Sequence, residues 1–300
     1  MTIFRNDIAT HLTFGVKTGF LKGRDTHTSM RTPFVRETVS DGKSEDYSDL
    51  GTVPMPLDYD DMVQVRGTHE VNLTITNKDY EITLGITHNA INDDRVGDLE
   101  AWALQAGRNF EKHKDKISFL ALDDGDGSTY GLCYDGQNMF SASHADSGAE
   151  YTTAQDNQFA LPLSIDNFET VWVAGQNFLD GRGEPVNFDH NLIITSPTNK
   201  RLAFNIADNP DVHDTADNEK NPWSGALRAP IFSTYLDTTA WFIVAADEIL
   251  KPVILQTRQE PRLVMWDDEK LGEGGVRYFK FHGRYNVGYG DWRTVAMGNT

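Results

Sequence analysis

A single cysteine, Cys133, is all the thiol chemistry this chain has. An internal disulfide is excluded, and so is a metal site built from clustered thiolates. Long apolar runs are missing as well. The strongest, Ala240 to Leu255, is broken by Asp247, Glu248, Lys251 and Pro252, and none reaches the length that crosses a bilayer. The opening residues Met1 to Asp7 lack the apolar core of a secretion signal. The expectation is a protein made and kept in a cytoplasm, with no membrane partner. Positive charge is scarce: 27 Lys and Arg stand against 45 Asp and Glu, for a net charge of −18. A surface this acidic repels phosphate backbones, which argues against a reader of DNA sequence.

What is present describes an ordinary folded chain. Its 300 residues suffice for one large domain or two modest ones. A hydrophobic fraction of 39% with 11% aromatics sets it apart from disordered sequences. Gly, Asn, Asp and Thr are spread along the whole length, which suits an α+β protein rich in turns.

Periodicity divides the chain. Residues 1–60 show no sustained period and contain Gly19, Gly23, Pro33, Gly42, Gly51, Pro54 and Pro56, so they read as an irregular arm lying on a neighbour or as a loose terminus. Val71, Leu73 and Ile75 alternate with polar residues, and Tyr80, Ile82, Leu84 and Ile86 do so again after Asn77-Lys78-Asp79. This pattern predicts a long β-hairpin. The period then changes. Leu99, Trp102, Ala103, Ala106, Phe110, His113, Ile117 and Leu120 recur at helical steps, predicting an amphipathic helix over 96–122 of roughly 40 Å. Acidic residues near its start and Lys112, Lys114 and Lys116 near its end complement the helix dipole, while Gly97 and Gly107 weaken it.

Beyond the helix, Asp166-Asn167-Phe168-Glu169 resembles a capping box. Asn191 to Thr195 reads as a short buried strand, and Ser196-Pro197 as a helix start. Apolar runs at 241–266 read as strands, and Arg277 to Met297 as a final strand pair turning near Gly288 to Gly290.

Catalytic patterns are weak. Cys133 and His144 could serve as nucleophile and base, but no third orienting residue is evident. Asp123 to Ser128 looks like a calcium loop at first sight. Counted from Asp124, however, the sixth position is Thr129 and the twelfth Asp135, where an EF-hand needs Gly and Glu. The nine His are scattered without zinc-hydrolase spacing, and no phosphate-binding or dinucleotide loop occurs. No catalytic, cofactor or metal site is therefore assigned.

Four stretches, in order, carry a family resemblance. They are Leu50-Gly51-Thr52-Val53-Pro54; Asn77-Lys78-Asp79-Tyr80-Glu81 leading to Ile91-Asn92-Asp93-Asp94; Cys133-Tyr134-Asp135-Gly136-Gln137 with His144 downstream; and Ile249-Leu250-Lys251-Pro252 through Gly288-Tyr289-Gly290-Asp291-Trp292. Together they resemble the major head subunit of Mu-like tailed bacteriophages. That resemblance implies the α+β Hong Kong 97-like capsid fold. It implies an N-terminal arm at 1–60, an extended β-hairpin loop at 61–92, and a spine helix with peripheral domain at 93–160. An axial domain would follow at 161–245, and 246–300 would return as strands to the peripheral domain. On that map Val71, Leu73, Ile75, Tyr80, Ile82 and Leu84 make inter-subunit contacts, and Tyr80→Asp impairs assembly while leaving the subunit folded.

The function implied is a non-enzymatic shell subunit that assembles as hexamers and pentamers in the host cytoplasm and resides in the virion capsid. Its partners would be further copies of itself, portal, scaffold and decoration proteins. It would enclose double-stranded DNA without reading it, behind an acidic wall that does not trap the genome. Two other readings stand beside this one: a tail-tube or decoration subunit, and a hydrolase using Cys133 and His144.

Overall fold

The computed structural model describes residues 2–47, 73–87, 96–145, 153–211, 220–267 and 275–299. Val71 and the stretches Leu50 to Pro54 and Ile91 to Asp94 lie outside them. The amphipathic stripe forms the expected helix, α2 (Val96–Asp123), unbroken through Gly97 and Gly107. Leu99, Ala103, Ala106, Phe110 and Ile117 on it are all buried.

The N-terminal segment departs from the expected irregular arm. Thr2–Asp25 form a helix, α1, which packs along α2 in the same direction. Glycines set the spacing. A Cβ at Gly23 would stand 1.9 Å from the Leu104 carbonyl oxygen, and one at Gly107 would stand 2.1 Å from that of Phe20. The backbones touch, so the contact uses the absence of side chains, with Val16 and Phe20 buried beside it. Phe20 stacks on Phe281 at 4.1 Å between ring centroids. Such an interface leaves no broad apolar stripe for a periodicity reading to find, and the same glycines lower helix propensity in isolation.

A four-stranded sheet backs the two helices. Its order is β1 (Val35–Val39), β9 (Val253–Asp267), β10 (Val276–Tyr289) and β4 (Lys78–Thr87). β1 runs parallel to β9, and the other pairings are antiparallel. On the helix-facing side lie Phe279, Phe281 and Tyr285 of β10, all buried.

A second sheet has the order β5 (Gln158–Phe159), β11 (Val295–Gly298), β8 (Trp241–Val244), β6 (Leu192–Thr195) and β7 (Ile231–Phe232). Every residue of β6, β8 and β11 is buried. Helices α3 (Ile165–Gln176) and α4 (Lys200–Ala207) accompany this sheet. The N-cap of α3 is Ser164, whose Oγ accepts the Asn167 N–H at 3.2 Å, so the cap lies two residues before the box read at Asp166. Ser196-Pro197 does open a helical segment, a 3₁₀ turn leading into α4.

Two expected strand pairings are replaced by crossings between sheets. β3 (Leu73–Thr76) and β4 do not form a hairpin. β3 pairs with β2 (Ser44–Tyr47), in register Ser44 to Thr76, while β4 pairs with β10. The supposed turn at Asn77 is a buried anchor: its N–H donates to Lys43 O at 3.0 Å, and its Nδ2 donates to Ser40 Oγ at 3.0 Å and Gly42 O at 3.1 Å. Likewise β10 and β11 belong to different sheets, so the C-terminal strands do not all return to the long one. Period-two patterning identifies strands without naming their partners.

The β2–β3 ribbon lies across the side of the long sheet away from α2. Ile75 fills the space over Gly288, where a Cβ would come within 2.6 Å of it. Gln256 donates to Ile75 O at 3.2 Å and Asn286 to Thr76 O at 2.8 Å.

Because α1 and α2 meet backbone to backbone, Gly107→Leu is expected to cost about 1–3 kcal/mol as overpacking. Chemical denaturation of the purified chain measures it; an unchanged midpoint contradicts the close approach.

Candidate assembly interface and the packing behind it

The best-engaged polar groups in this molecule are structural. Cys133 is buried, its thiol pushed up by burial and then by Asp135 and Asp291, and its Sγ lies 3.3 Å from Met139 Sδ. His144 is occupied elsewhere: Nδ1 meets Asp135 at 2.6 Å, Nε2 meets Asn157 Oδ1 at 3.1 Å, and the ring stacks on Trp292 at 4.2 Å. With both ring nitrogens engaged, His144 has none left to accept a proton from Cys133. Among the described residues no group of three or more His, Cys, Asp or Glu is arranged to hold a metal ion.

Two of the four stretches that carried the resemblance, Cys133 to Gln137 with His144 and Ile249 to Pro252 through Gly288 to Trp292, converge on one place, the crossing from β10 to β11. Gly290 N donates to Pro252 O at 2.7 Å, and Asp291 N donates to Lys251 O at 3.2 Å. A Cβ at Gly290 would stand 2.1 Å from Lys251 O, so only glycine passes there. Asp291 grips Arg293 through two bonds, 2.9 Å from Nε and 2.6 Å from Nη2. Both side chains are buried, and the guanidinium lies 5.9 Å from the Tyr134 ring. Trp292 carries the His144 stack. Buried nearby, His190 donates from Nε2 to Arg293 O at 3.1 Å, and burial lowers its pKa to about 4. The ring is therefore neutral near pH 7, which avoids placing a charge among apolar side chains.

A second buried network holds the N-terminal segment on α2. Arg31 reaches Asp115 at 2.8 Å, Glu111 at 3.0 Å and Glu37 of β1 at 2.8 Å. Lys114 pairs with Glu111 at 3.1 Å and Glu260 of β9 at 3.2 Å, and His27 meets Asp115 at 2.7 Å. The periodicity reading missed these residues. The available signal was Lys114 falling beside Phe110 and Ile117, where an apolar stripe has no place for unpaired charge.

The residues expected to contact neighbours are packed inside the subunit wherever they are described. Leu73 and Ile75 are buried. Tyr80, Ile82 and Leu84 are half-buried against the subunit's own core, and Tyr80 stacks on Tyr285 and His113, each at 4.6 Å. The open apolar surface lies elsewhere. Past the ribbon, on the distal part of β9, Val264, Met265 and Trp266 are 41%, 40% and 44% exposed in sequence. Trp266 stacks on Tyr278 at 5.1 Å. Among the described residues no strand pairs with that edge of β9 beyond Thr257. A consecutive exposed run of this kind on a strand edge marks an interaction surface.

Comparison with known proteins agrees with this architecture. Residues 9–160 and 231–299 match the family described as Mu-like prophage major head subunit gpT. The chain is 30% identical over 105 residues to the major capsid protein of Escherichia phage Mu, covering 35% of this chain and 33% of that protein. It is 24% identical over 280 residues to the Mu-like prophage FluMu major head subunit of Haemophilus influenzae, covering 92% of this chain and 67% of that one. The procapsid subunit of bacteriophage JBD30 superposes with a TM-score of 0.61 at 21% identity, over 98% of this chain and 75% of that one. The fold is the α+β Hong Kong 97-like capsid fold.

Two outcomes follow from the packing. Arg31→Met removes the cation shared by two buried carboxylates, which keep Lys114 and His27 as partners, and should cost about 1–3 kcal/mol; in Arg31→Met/Asp115→Asn part of that loss should return, and equal denaturation midpoints for wild type and Arg31→Met would contradict the clamp. Tyr80→Asp is expected to destabilise the subunit itself by about 1–3 kcal/mol, because a half-buried ring is lost from its stack on Tyr285 and His113. That reverses the expectation of a folded, assembly-defective subunit, and thermal unfolding decides between the two.

Proposed function

The chain belongs to the Mu-like prophage major head subunit gpT family, and from that premise we propose that it is a major capsid protein, assembling from many copies into the closed icosahedral shell of a tailed phage. The observation that carries this reading is the match of the family to 9–160 and 231–299.

The parts divide accordingly. The long sheet with α1 and α2 serves as the peripheral domain, with α2 as its spine. The short sheet with α3 and α4 serves as the axial domain; it takes β5 and β11 from outside 161–245. The extended loop expected at 61–92, of which 73–87 are described, overlies a neighbouring subunit. The exposed run Val264 to Trp266 is one of the surfaces that a neighbour covers. Shell closure requires several such patches, joined by rotations that close rings of six and five copies, with more than about 2,000 Å² buried per subunit in a permanent wall. Portal, scaffold and decoration proteins are its further partners, assembly takes place in the host cytoplasm, and the subunit performs no catalysis. No helix among the described residues is long and apolar enough to cross a membrane.

Electron microscopy of the purified, assembled chain tests the proposal. Closed shells are expected for wild type, whereas open tubes or a permanent monomer would overturn it. Trp266→Glu should leave the circular dichroism and melting of the subunit unchanged while lowering shell yield severalfold; undiminished yield removes Val264 to Trp266 from the interface.

A further inference from the structure

His190 is a buried titratable group that the shell reading leaves unused. It lies just before β6, and three elements close on its ring. From α3 comes Gly175, where a Cβ would stand 3.0 Å from both Nδ1 and Cε1 of the imidazole. Glycine weakens a helix interior, but here it admits the ring. Just past α3, Phe178 meets the imidazole edge to face, with 6.0 Å between ring centroids, and meets Trp292 in the same way at 5.3 Å. From the crossing comes the Arg293 carbonyl, which accepts the Nε2 proton. The imidazole thus joins the helix layer of the short sheet to the link between the two sheets. The charged groups around this joint are engaged elsewhere. Arg293 is held by Asp291, and Asp135 by His144, which stacks on Trp292. In the turn after α3, Asp180 accepts the N–H groups of Arg182 and Glu184 at 2.8 and 2.9 Å. Asp189, next to His190 in the chain, is exposed. Among the described residues no carboxylate pairs with the His190 ring. A proton placed on it would have no counter-charge within an apolar surrounding.

We propose that His190 is a proton-operated latch between α3 and the crossing. Neutral, it holds the end of α3 and Phe178 against Trp292 and Arg293. Protonated, it releases them, so that the short sheet's helix layer loosens while the long sheet with α1 and α2 stays folded. Burial holds the latched ring near a pKa of about 4, and the carbonyls of Arg293 and Phe188 act the other way without offsetting it. Once released, the ring returns to its ordinary value of 6.5. The released state therefore binds a proton that the latched state refuses between those two values. Latching is at full strength above the upper value and is lost as the pH falls towards the lower one. This difference raises the ratio of released to latched molecules about thirtyfold between pH 7.5 and pH 5. The latch belongs to the subunit itself and does not depend on the shell reading.

Hydrogen exchange of the purified full-length chain, mapped by mass spectrometry and corrected for the intrinsic effect of pH, tests the latch. From pH 7.5 to pH 5 the amides of the second half of α3 and of Gly290 to Thr294 should exchange about thirtyfold faster relative to those of α2. In His190→Gln, whose side chain stays neutral, that acceleration should vanish. An equal change in all segments, no change at α3, or an acceleration that persists in His190→Gln overturns the proposal. A second measurement on the wild type alone covers the case of a variant that does not fold. Nuclear magnetic resonance follows the titration of the His190 ring in the folded chain. Titration below about pH 5 supports the latch, and titration near the ordinary histidine value of about 6.5 overturns it.

Discussion

Arg31 is the side chain through which the N-terminal part of the molecule is fastened to the rest. Its guanidinium bonds to Glu111 and Asp115 on α2 and to Glu37 on the first strand. Lys114 extends the network to Glu260 on β9. A buried ion network of this kind adds little net stability over a well-packed apolar alternative, but it tolerates only one arrangement, because each charge left unpaired is costly. Here it sets how β1 and the loop after α1 sit against α2. It also draws Glu111 and Asp115 of α2 inward to meet Arg31 and Lys114.

The second constraint is at the crossing between the sheets. Five consecutive residues, Gly290 to Thr294, pass from the end of β10 to the start of β11, and each element nearby is tied to them. Lys251 and Pro252 receive their N–H groups, Arg293 is clamped by Asp291, and Trp292 is covered by His144. Thr294 Oγ1 donates to Asp291 O at 2.6 Å. With the N–H groups of Gly290 and Asp291 and the Asp291–Arg293 pair held by short bonds, the two sheets are joined by a well-anchored link. A wall subunit needs this property, since strain at one contact must reach the next without the protein folding at its waist.

Several elements were legible from residue order alone. The stripe from Leu99 to Leu120 specified α2 almost to the residue. Alternation located β3 and β4, Asn191 to Thr195 read as a short buried strand, and the run at 241–244 read as a strand. The family stretches named Gly290, Asp291 and Trp292 of the crossing before any contact between them was visible. Other elements were hidden for identifiable reasons. Helix α1 rests on Gly19 and Gly23, which read as breakers because their value lies in what the partner backbone needs. Asn77 read as a turn because a polar residue between strands usually is one, whereas here its amide is buried and bonded to the loop after β1.

By itself, then, the sequence determined the kinds of element, their order and the family, because period, composition and motif are properties of the chain taken locally. Only the tertiary structure decided which strands pair, which of the hairpin's apolar residues face the subunit's own core, and which charges of α2 are turned inward. Those outcomes depend on groups more than eighty residues away, such as Arg31 for Asp115 and Arg284 for Asp79. A strand's pattern states only that one face is apolar, and the surface that covers it comes from elsewhere in the chain.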